Sequence, residues 1–285
     1  TMLPGFLDEP ILISRTGDDI VCMSNVCTHR GKILIEEACT ANLIRCAYHG
    51  RRFSLDGKFL SMPEFEGVED FPSDSDNLPR VPFANRAGFL FASIAPVDSF
   101  DAFANDAAAR LEDVEPDGLR LAATRDYEVE AHWALYCENY LEGFHIPFVH
   151  KSLNEVVDYG TYTTETFRYS SLQTGFDEQG QIAGRYLFIF PNLMFNFYPW
   201  GISVNIVKPV SPSRSVVTFL TYVSDESKIG EGAGADLDRV ELEDEAVVAS
   251  VQKGIRSRFY SHGRYSPARE QGTHHFHRLI AEFMK

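Results

Sequence analysis

Two cysteines and two histidines stand at a spacing that could hold a metal. Cys27-Thr28-His29 is followed, after 16 residues, by Cys46-Ala47-Tyr48-His49. Each arm offers one thiolate and one imidazole. A [2Fe–2S] cluster needs four protein ligands, and two of them can be histidines on one iron, which removes negative charge and raises the potential. Two short loops meeting tip to tip can deliver this set, with both cysteines on one iron and both histidines on the other. Gly31 and Gly50 follow the histidines and allow sharp turns. A tetrahedral Cys2His2 zinc site is the nearest rival. Common zinc patterns pair Cys with Cys and His with His, whereas both arms here are mixed.

A second constellation runs from Glu142 through His145 to His150. The spacing predicts that Glu142 and His145 share a helix face, and that Pro147 ends the helix so that His150 arrives from its exit. Two imidazoles so placed can take adjacent positions on one metal. A carboxylate would complete the facial triad that leaves positions open for O2. Asp244 is the candidate, because Asp244, Val247, Val248, Val251 and Ile255 form one helix stripe that is otherwise apolar. A carboxylate facing a core is costly unless it is paired or binds metal. Glu241, Glu243 and Glu245 are assigned to solvent. Taken singly, these residues also admit plainer readings, as satisfied structural histidines and a helix N-terminal charge.

The elements that must position these groups fall into two textures. Residues 10–95 read as short strands broken by Gly, Pro and Asp, with hairpins at Thr16-Gly17-Asp18 and Asp56-Gly57 and a closing strand at Gly88–Ser93. Phe100–Leu111 is Ala-rich and reads as helix. Residues 132–146 follow as helix, then strands at Tyr186–Phe190, Leu193–Tyr198, Ile202–Lys208 and Val216–Val223. Residues 226–238 look like an exposed loop. Helices are expected over about 240–257 and 273–284. The reading is an α+β chain: an all-β domain over 1–95, then 96–285 with an antiparallel sheet and flanking helices.

Of the aromatic residues, Phe144, Phe148, Phe190, Phe197 and Trp200 are the candidates for contact with substrate, although most of the aromatic strand region should be sheet core. Aromatic faces suit a quaternary ammonium group through cation–π contact and a planar hydrocarbon equally. His274-His275-x-His277 lies beside an apolar helix stripe and is read as packing.

The 26 basic and 41 acidic residues leave a net charge of −15, which argues against nucleic acid as a partner. No run of about 18 apolar residues suggests a membrane span, and no signal peptide is visible at Thr1. Five cysteines, an odd number, suit a reducing cytoplasm better than a disulfide framework.

Cys27-Thr28-His29-Arg30-Gly31 and Cys46-Ala47-Tyr48-His49-Gly50 resemble the two cluster boxes of the Rieske family. Glu138-Asn139-Tyr140-Leu141-Glu142 through His150 resembles the catalytic-iron box of Rieske oxygenase α subunits, and Leu242-Glu243-Asp244 through Ile255 their third-ligand helix. The resemblance implies a Rieske [2Fe–2S] domain plus a helix-grip catalytic domain holding a mononuclear Fe(II) on His145, His150 and Asp244. Glu142 and Asn139 are then the candidate catalytic groups, and Glu142 stands where many members carry the Asp that bridges the two metal centres. The implied partners are O2, a small organic substrate, a flavin/iron–sulfur reductase or ferredoxin, and two further copies of the chain in a homotrimer. Gly263-Arg264-Tyr265 and His274–His277 also resemble the choline monooxygenase-like branch. The alternative is a Rieske electron-transfer protein whose second domain only binds a ligand.

Overall fold

The structure, a computed structural model, describes residues 9–86, 88–104, 107–111, 118–228, 234 and 237–285. The fold is α+β, as the sequence suggested, and divides into two compact units, Thr1–Phe100 and Asp101–Lys285.

In the first unit all regular strands are antiparallel. β1 (Ile11–Thr16) and β2 (Asp19–Ser24) form a hairpin, and Gly17 takes the positive φ that its two-residue turn requires. β3 (Ile44–Arg45), β4 (Arg52–Phe53) and β5 (Phe59–Ser61) make a small three-stranded sheet, and β6 (Phe83–Arg86) pairs with β7 (Phe89–Ala92). Their small core gathers Met23, Ile44, Phe53 and Leu78 around the buried Cys27 and Cys46.

The second unit begins with α1 (Phe100–Ala104) and a single 3-10 turn at Ala108–Arg110, with residues 105–106 outside the described set. The continuous helix expected over Phe100–Leu111 is therefore seen only as these two pieces. β8 (Arg120–Val129) leads into α2 (Trp133–Tyr140), α3 (Ile146–Val149) and α4 (Lys151–Asn154). A meander of β9 (Thr163–Thr166), β10 (Ser170–Phe176), β11 (Ile182–Ile189), β12 (Leu193–Tyr198), β13 (Gly201–Ser211) and β14 (Arg214–Val223) follows. The sheet has seven antiparallel strands in the order β8-β14-β13-β12-β11-β10-β9. α5 (Leu237–Gly254) and α6 (Gln271–Phe283) end the chain, and α2 packs against β13, α5 and α6. Phe188, Met194, Val207, Val217, Phe276 and Leu279 lie in the shared core. Of the loop expected at 226–238, Glu226–Lys228 is a 3-10 turn, α5 begins at Leu237, and most of the remainder lies outside the described residues. Among the described residues no helix is long and apolar enough to cross a membrane.

Two expectations need correction. The helix predicted over 132–146 ends at Tyr140, with Leu141 as its cap, and Glu142–His145 form a turn. Gly143 has its Cα against Tyr162, where a Cβ would lie 2.6 Å from a ring carbon, so the chain turns at a contact that only glycine permits. Pro147 starts α3 rather than ending a helix, because a first-turn proline gives up no hydrogen bond. The second correction concerns α5. Its buried line runs through Glu241, Val248 and Gln252, with Asp244 and Glu245 partly covered, while Val251 and Ile255 are exposed.

Candidate metal centres

The two Cys/His loops repeat one local design. The amide of Cys27 donates to the carbonyl of Lys32 (2.8 Å), and that of Gly31 to the carbonyl of Cys27 (3.0 Å). The amide of Cys46 donates to Arg51 (2.8 Å), and that of Gly50 to Cys46 (3.0 Å). Gly31 and Gly50 sit at φ of 72° and 73°, a left-handed conformation that costs other residues about 1–2 kcal/mol. The result is one like pair against another. The Cys27 and Cys46 thiols lie near enough to shift each other's titration, and the His29 and His49 rings meet edge to face at 4.8 Å. Burial raises the Cys27 thiol. At Cys46 the same penalty is outweighed by the amides of Tyr48 and His49 and by Cys27, so its pKa is lowered. His49 Nδ1 is buried without a hydrogen-bond partner among the described residues. A cluster ligated by two thiolates and two imidazoles fits this donor set.

One turn ties the loops together, and nothing in the spacing announced it. The carbonyl of Asp76 accepts from Thr28 Oγ1 (2.8 Å) on the first loop and from Arg51 (3.4 Å) after the second, while the Asp76 carboxylate pairs with the same guanidinium. Arg51 is buried beneath the Phe53, Phe59 and Phe71 rings, 4.8–5.8 Å from their centroids.

In the second unit His145, His150 and Asp244 bring one ligand atom each within 4.8 Å of one another. The two Nε2 atoms are 3.1 Å apart, and Asp244 Oδ1 lies 3.0 Å from His150 Nε2 and 3.6 Å from His145 Nε2. His150 is only 1% exposed. Each ring gives its other nitrogen to a carboxylate, His145 Nδ1 to Glu142 (2.7 Å) and His150 Nδ1 to Glu243 (2.8 Å). That fixes the tautomer with both Nε2 lone pairs facing inward. Glu142 also accepts the amides of Phe144 and His145. Asn139 Nδ2 donates to Asp244 Oδ1 (2.5 Å). Burial works to lower the pKa of His150, but Asp244 and Glu243 outweigh it and hold it raised. A divalent ion among these atoms would take the place of that proton.

Beside the triad is a cavity of about 100 Å³, well below the roughly 300–1,000 Å³ of drug-sized sites. Tyr140, Tyr162, Tyr186, Tyr198, Asn196 and Asn205 line it, together with Tyr136, Glu241 and the triad itself. The tyrosines stay neutral phenols, their pKa values raised chiefly by burial. Tyr140 donates to Asn196 Oδ1 (2.8 Å).

None of Phe144, Phe148, Phe190, Phe197 and Trp200 is among the residues lining this cavity. Phe144 and Phe148 are exposed, the latter at 76%. Phe190 packs in the core against Phe276 and Phe283. Phe197 lines a separate surface recess with Arg185 and Ile202, and the buried Trp200 stacks behind Tyr198. The reason is strand alternation: Asn196 and Tyr198 face the cavity, so Phe197 faces away. Asn196 pairs across the sheet with Tyr186 and Ser203, and Asn205 with Phe219. Polar side chains in a row on a covered sheet face were the sequence signal that could have marked the cavity. Glu241 and Glu243, assigned to solvent, are respectively 3% exposed and bonded to His150, and Glu245 is partly buried.

Residues 5–72 match the Rieske [2Fe–2S] domain family, and residues 158–285 the catalytic domain of the ring hydroxylating alpha subunit. The chain is 30% identical to choline monooxygenase of Arabidopsis thaliana, over 92% of its own length and 68% of that protein's. The chain belongs to the Rieske oxygenase family. The carnitine monooxygenase oxygenase subunit of Escherichia coli K12 is 29% identical to this oxygenase over 98% of the chain and 82% of the subunit. The crystal structure of the quaternary ammonium Rieske monooxygenase CntA with L-carnitine aligns at a TM-score of 0.77 and 27% identity, covering 97% of this chain and 82% of that one. Naphthalene 1,2-dioxygenase, at 18% identity and a TM-score of 0.70, shares the fold. The protein is thus an oxygenase component whose cofactors are a Rieske [2Fe–2S] cluster and a mononuclear iron. The zinc and electron-carrier readings are set aside.

Proposed function

We propose that this oxygenase hydroxylates or oxidatively demethylates a small quaternary ammonium compound. The cavity carries the reading: among the described residues five tyrosine rings and three carboxyls (Glu142, Glu241 and Asp244) line it, and no lysine or arginine does. Aromatic faces attract a quaternary cation through the ring quadrupole. The similarity to relatives named for choline and carnitine supports the same reading.

Cys27, His29, Cys46 and His49 would hold the cluster, and His145, His150 and Asp244 the iron. When bound, the iron supplies O2 activation, with electrons delivered through the cluster. The overall balance is R–H + O2 + 2e⁻ + 2H⁺ → R–OH + H2O. The chain's own residues orient and enclose. Glu142 and Asn139, read from sequence as catalytic, act here as positioning residues, Glu142 on the His145 ring and Asn139 on the Asp244 carboxylate. The tyrosines hold the substrate and keep bulk water out.

A separate flavin/iron–sulfur reductase or ferredoxin supplies the electrons, and the chain works as a homotrimer in which Glu142 lies on the route from a neighbour's cluster. The CntA structure described in terms of inter-subunit electron transfer supports this arrangement. The cytoplasm, where thiols stay reduced, is the compartment that suits five free cysteines. Reconstituted turnover tests the function: with reductase and a nicotinamide donor, O2 uptake should follow addition of choline, trimethylglycine or carnitine and not of benzoate or naphthalene. Uptake with the aromatics alone would refute it.

A further inference from the structure

Among the described residues Glu241 is the one lining carboxyl that the metal chemistry leaves without a task. It sits on the buried face of α5, one turn before Asp244, and is 3% exposed. Its Oε2 accepts from the Tyr136 hydroxyl at 2.5 Å, and among the described residues no donor reaches its Oε1, although the residue lines the cavity. A buried carboxylate oxygen without a partner is expensive. Burial therefore raises its pKa; Tyr136 opposes this and Asp244 and Glu245 add to it, leaving it at about 8. A cation held against Oε1 would favour the ionised form and remove that expense, so Glu241 carries its charge when a cation occupies the cavity. The count of charge agrees. With the cation bound and Glu241 ionised, the three lining carboxyls against one divalent ion leave one negative charge, which a single positive charge cancels; Glu243, outside the lining, pairs with Arg239. A zwitterion would bring a further carboxylate into a lining that, among the described residues, has no lysine or arginine to receive it.

We propose that Glu241 is the residue through which the cavity selects for charge, and that the preferred substrate is a monocation without a carboxylate group. This deepens the quaternary ammonium reading and rests on it. The test is anaerobic calorimetric binding to the holoenzyme, where no turnover occurs. The probes are choline, trimethylglycine and 3,3-dimethylbutan-1-ol, the neutral carbon analogue of choline. The wild type should bind choline at least about tenfold more tightly than either of the others, the size of effect expected for one charged contact. Glu241→Gln keeps the acceptor for Tyr136 but cannot ionise against a bound cation. It should weaken choline by about tenfold or more and leave the neutral analogue within about twofold. Tyr136→Phe keeps the carboxyl and removes the hydroxyl, and should retain most of the preference for choline.

Each contrary result has one meaning. A wild type that binds the neutral analogue as tightly as choline overturns the quaternary ammonium reading. A wild type that prefers choline, with Glu241→Gln preferring it equally, leaves that reading standing and overturns the role of Glu241. Equal affinity for trimethylglycine and choline overturns the monocation claim. A Tyr136→Phe variant that loses choline as fully as Glu241→Gln makes the residue structural.

Discussion

His145 and His150 each lean on a different carboxylate, and that division has consequences for iron affinity. On the proposed ligand set, losing Asp244 would remove a ligand, whereas losing Glu243 would only free the His150 ring to rotate. Asp244→Ala should abolish mononuclear iron while the Rieske absorbance persists. Glu243→Ala should retain iron but hold it about 10–100-fold more weakly, the usual effect of removing a ligand's hydrogen-bond partner. Iron retained against graded chelator separates the two, and a Glu243→Ala variant with wild-type affinity would show that His150 needs no support. At this scale the donors were legible because their identities and spacings are themselves the signal. Glu243 was not, since its link to His150 spans 93 positions.

Helix α5 shows why periodicity misled at the scale of elements. Its length was readable, although it runs Leu237–Gly254 where about 240–257 was expected, yet the buried line was taken through the apolar Val251 and Ile255, which are exposed, when Glu241 and Gln252 are the covered residues. A helix that lines a polar cavity inverts the apolar-inward rule. The same inversion predicts a pH dependence. With no cation in the cavity the folded chain keeps a proton on Glu241 up to about pH 8, whereas its ordinary value is 4.5. Between those values the unfolded chain binds fewer protons, so stability falls as pH rises, by up to about 5 kcal/mol across the window. Urea midpoints of iron-free protein from pH 5 to 8 should fall less steeply in Glu241→Gln than in the wild type. Parallel slopes would mean that the carboxyl is ionised throughout. The sheet strands were mostly legible from turn residues, whereas the break after Tyr140 was not, because its cause, the contact of Gly143 with Tyr162, lies 19 positions away.

At the scale of the whole molecule, the proposed trimer makes a prediction that no single chain can satisfy. On the proposed ligand sets a Cys46→Ala variant should lack a cluster and an Asp244→Ala variant the catalytic iron, so each alone should be inactive. Mixed under conditions of subunit exchange, some interfaces would place an intact cluster against an intact iron, and turnover should partly return. Confirmed mixed trimers without recovered turnover would exclude transfer between subunits. Iron analysis of the wild type should give about three atoms per chain, two in the cluster and one in the triad. The pairing of a Cys/His domain with a catalytic domain was legible, because each announces itself locally. Assembly was not, since the surfaces that meet carry no motif.

The turn at Asp76 bears on how fast an electron can leave the cluster. Thr28 and Arg51 attach both ligand loops to the same short segment, so the loops cannot shift independently when the charge on the cluster changes. A redox centre whose surroundings hold still on reduction spends little of its driving force on rearrangement. That stiffness belongs to the loops themselves, and it would be theirs whichever partner stands on the receiving side.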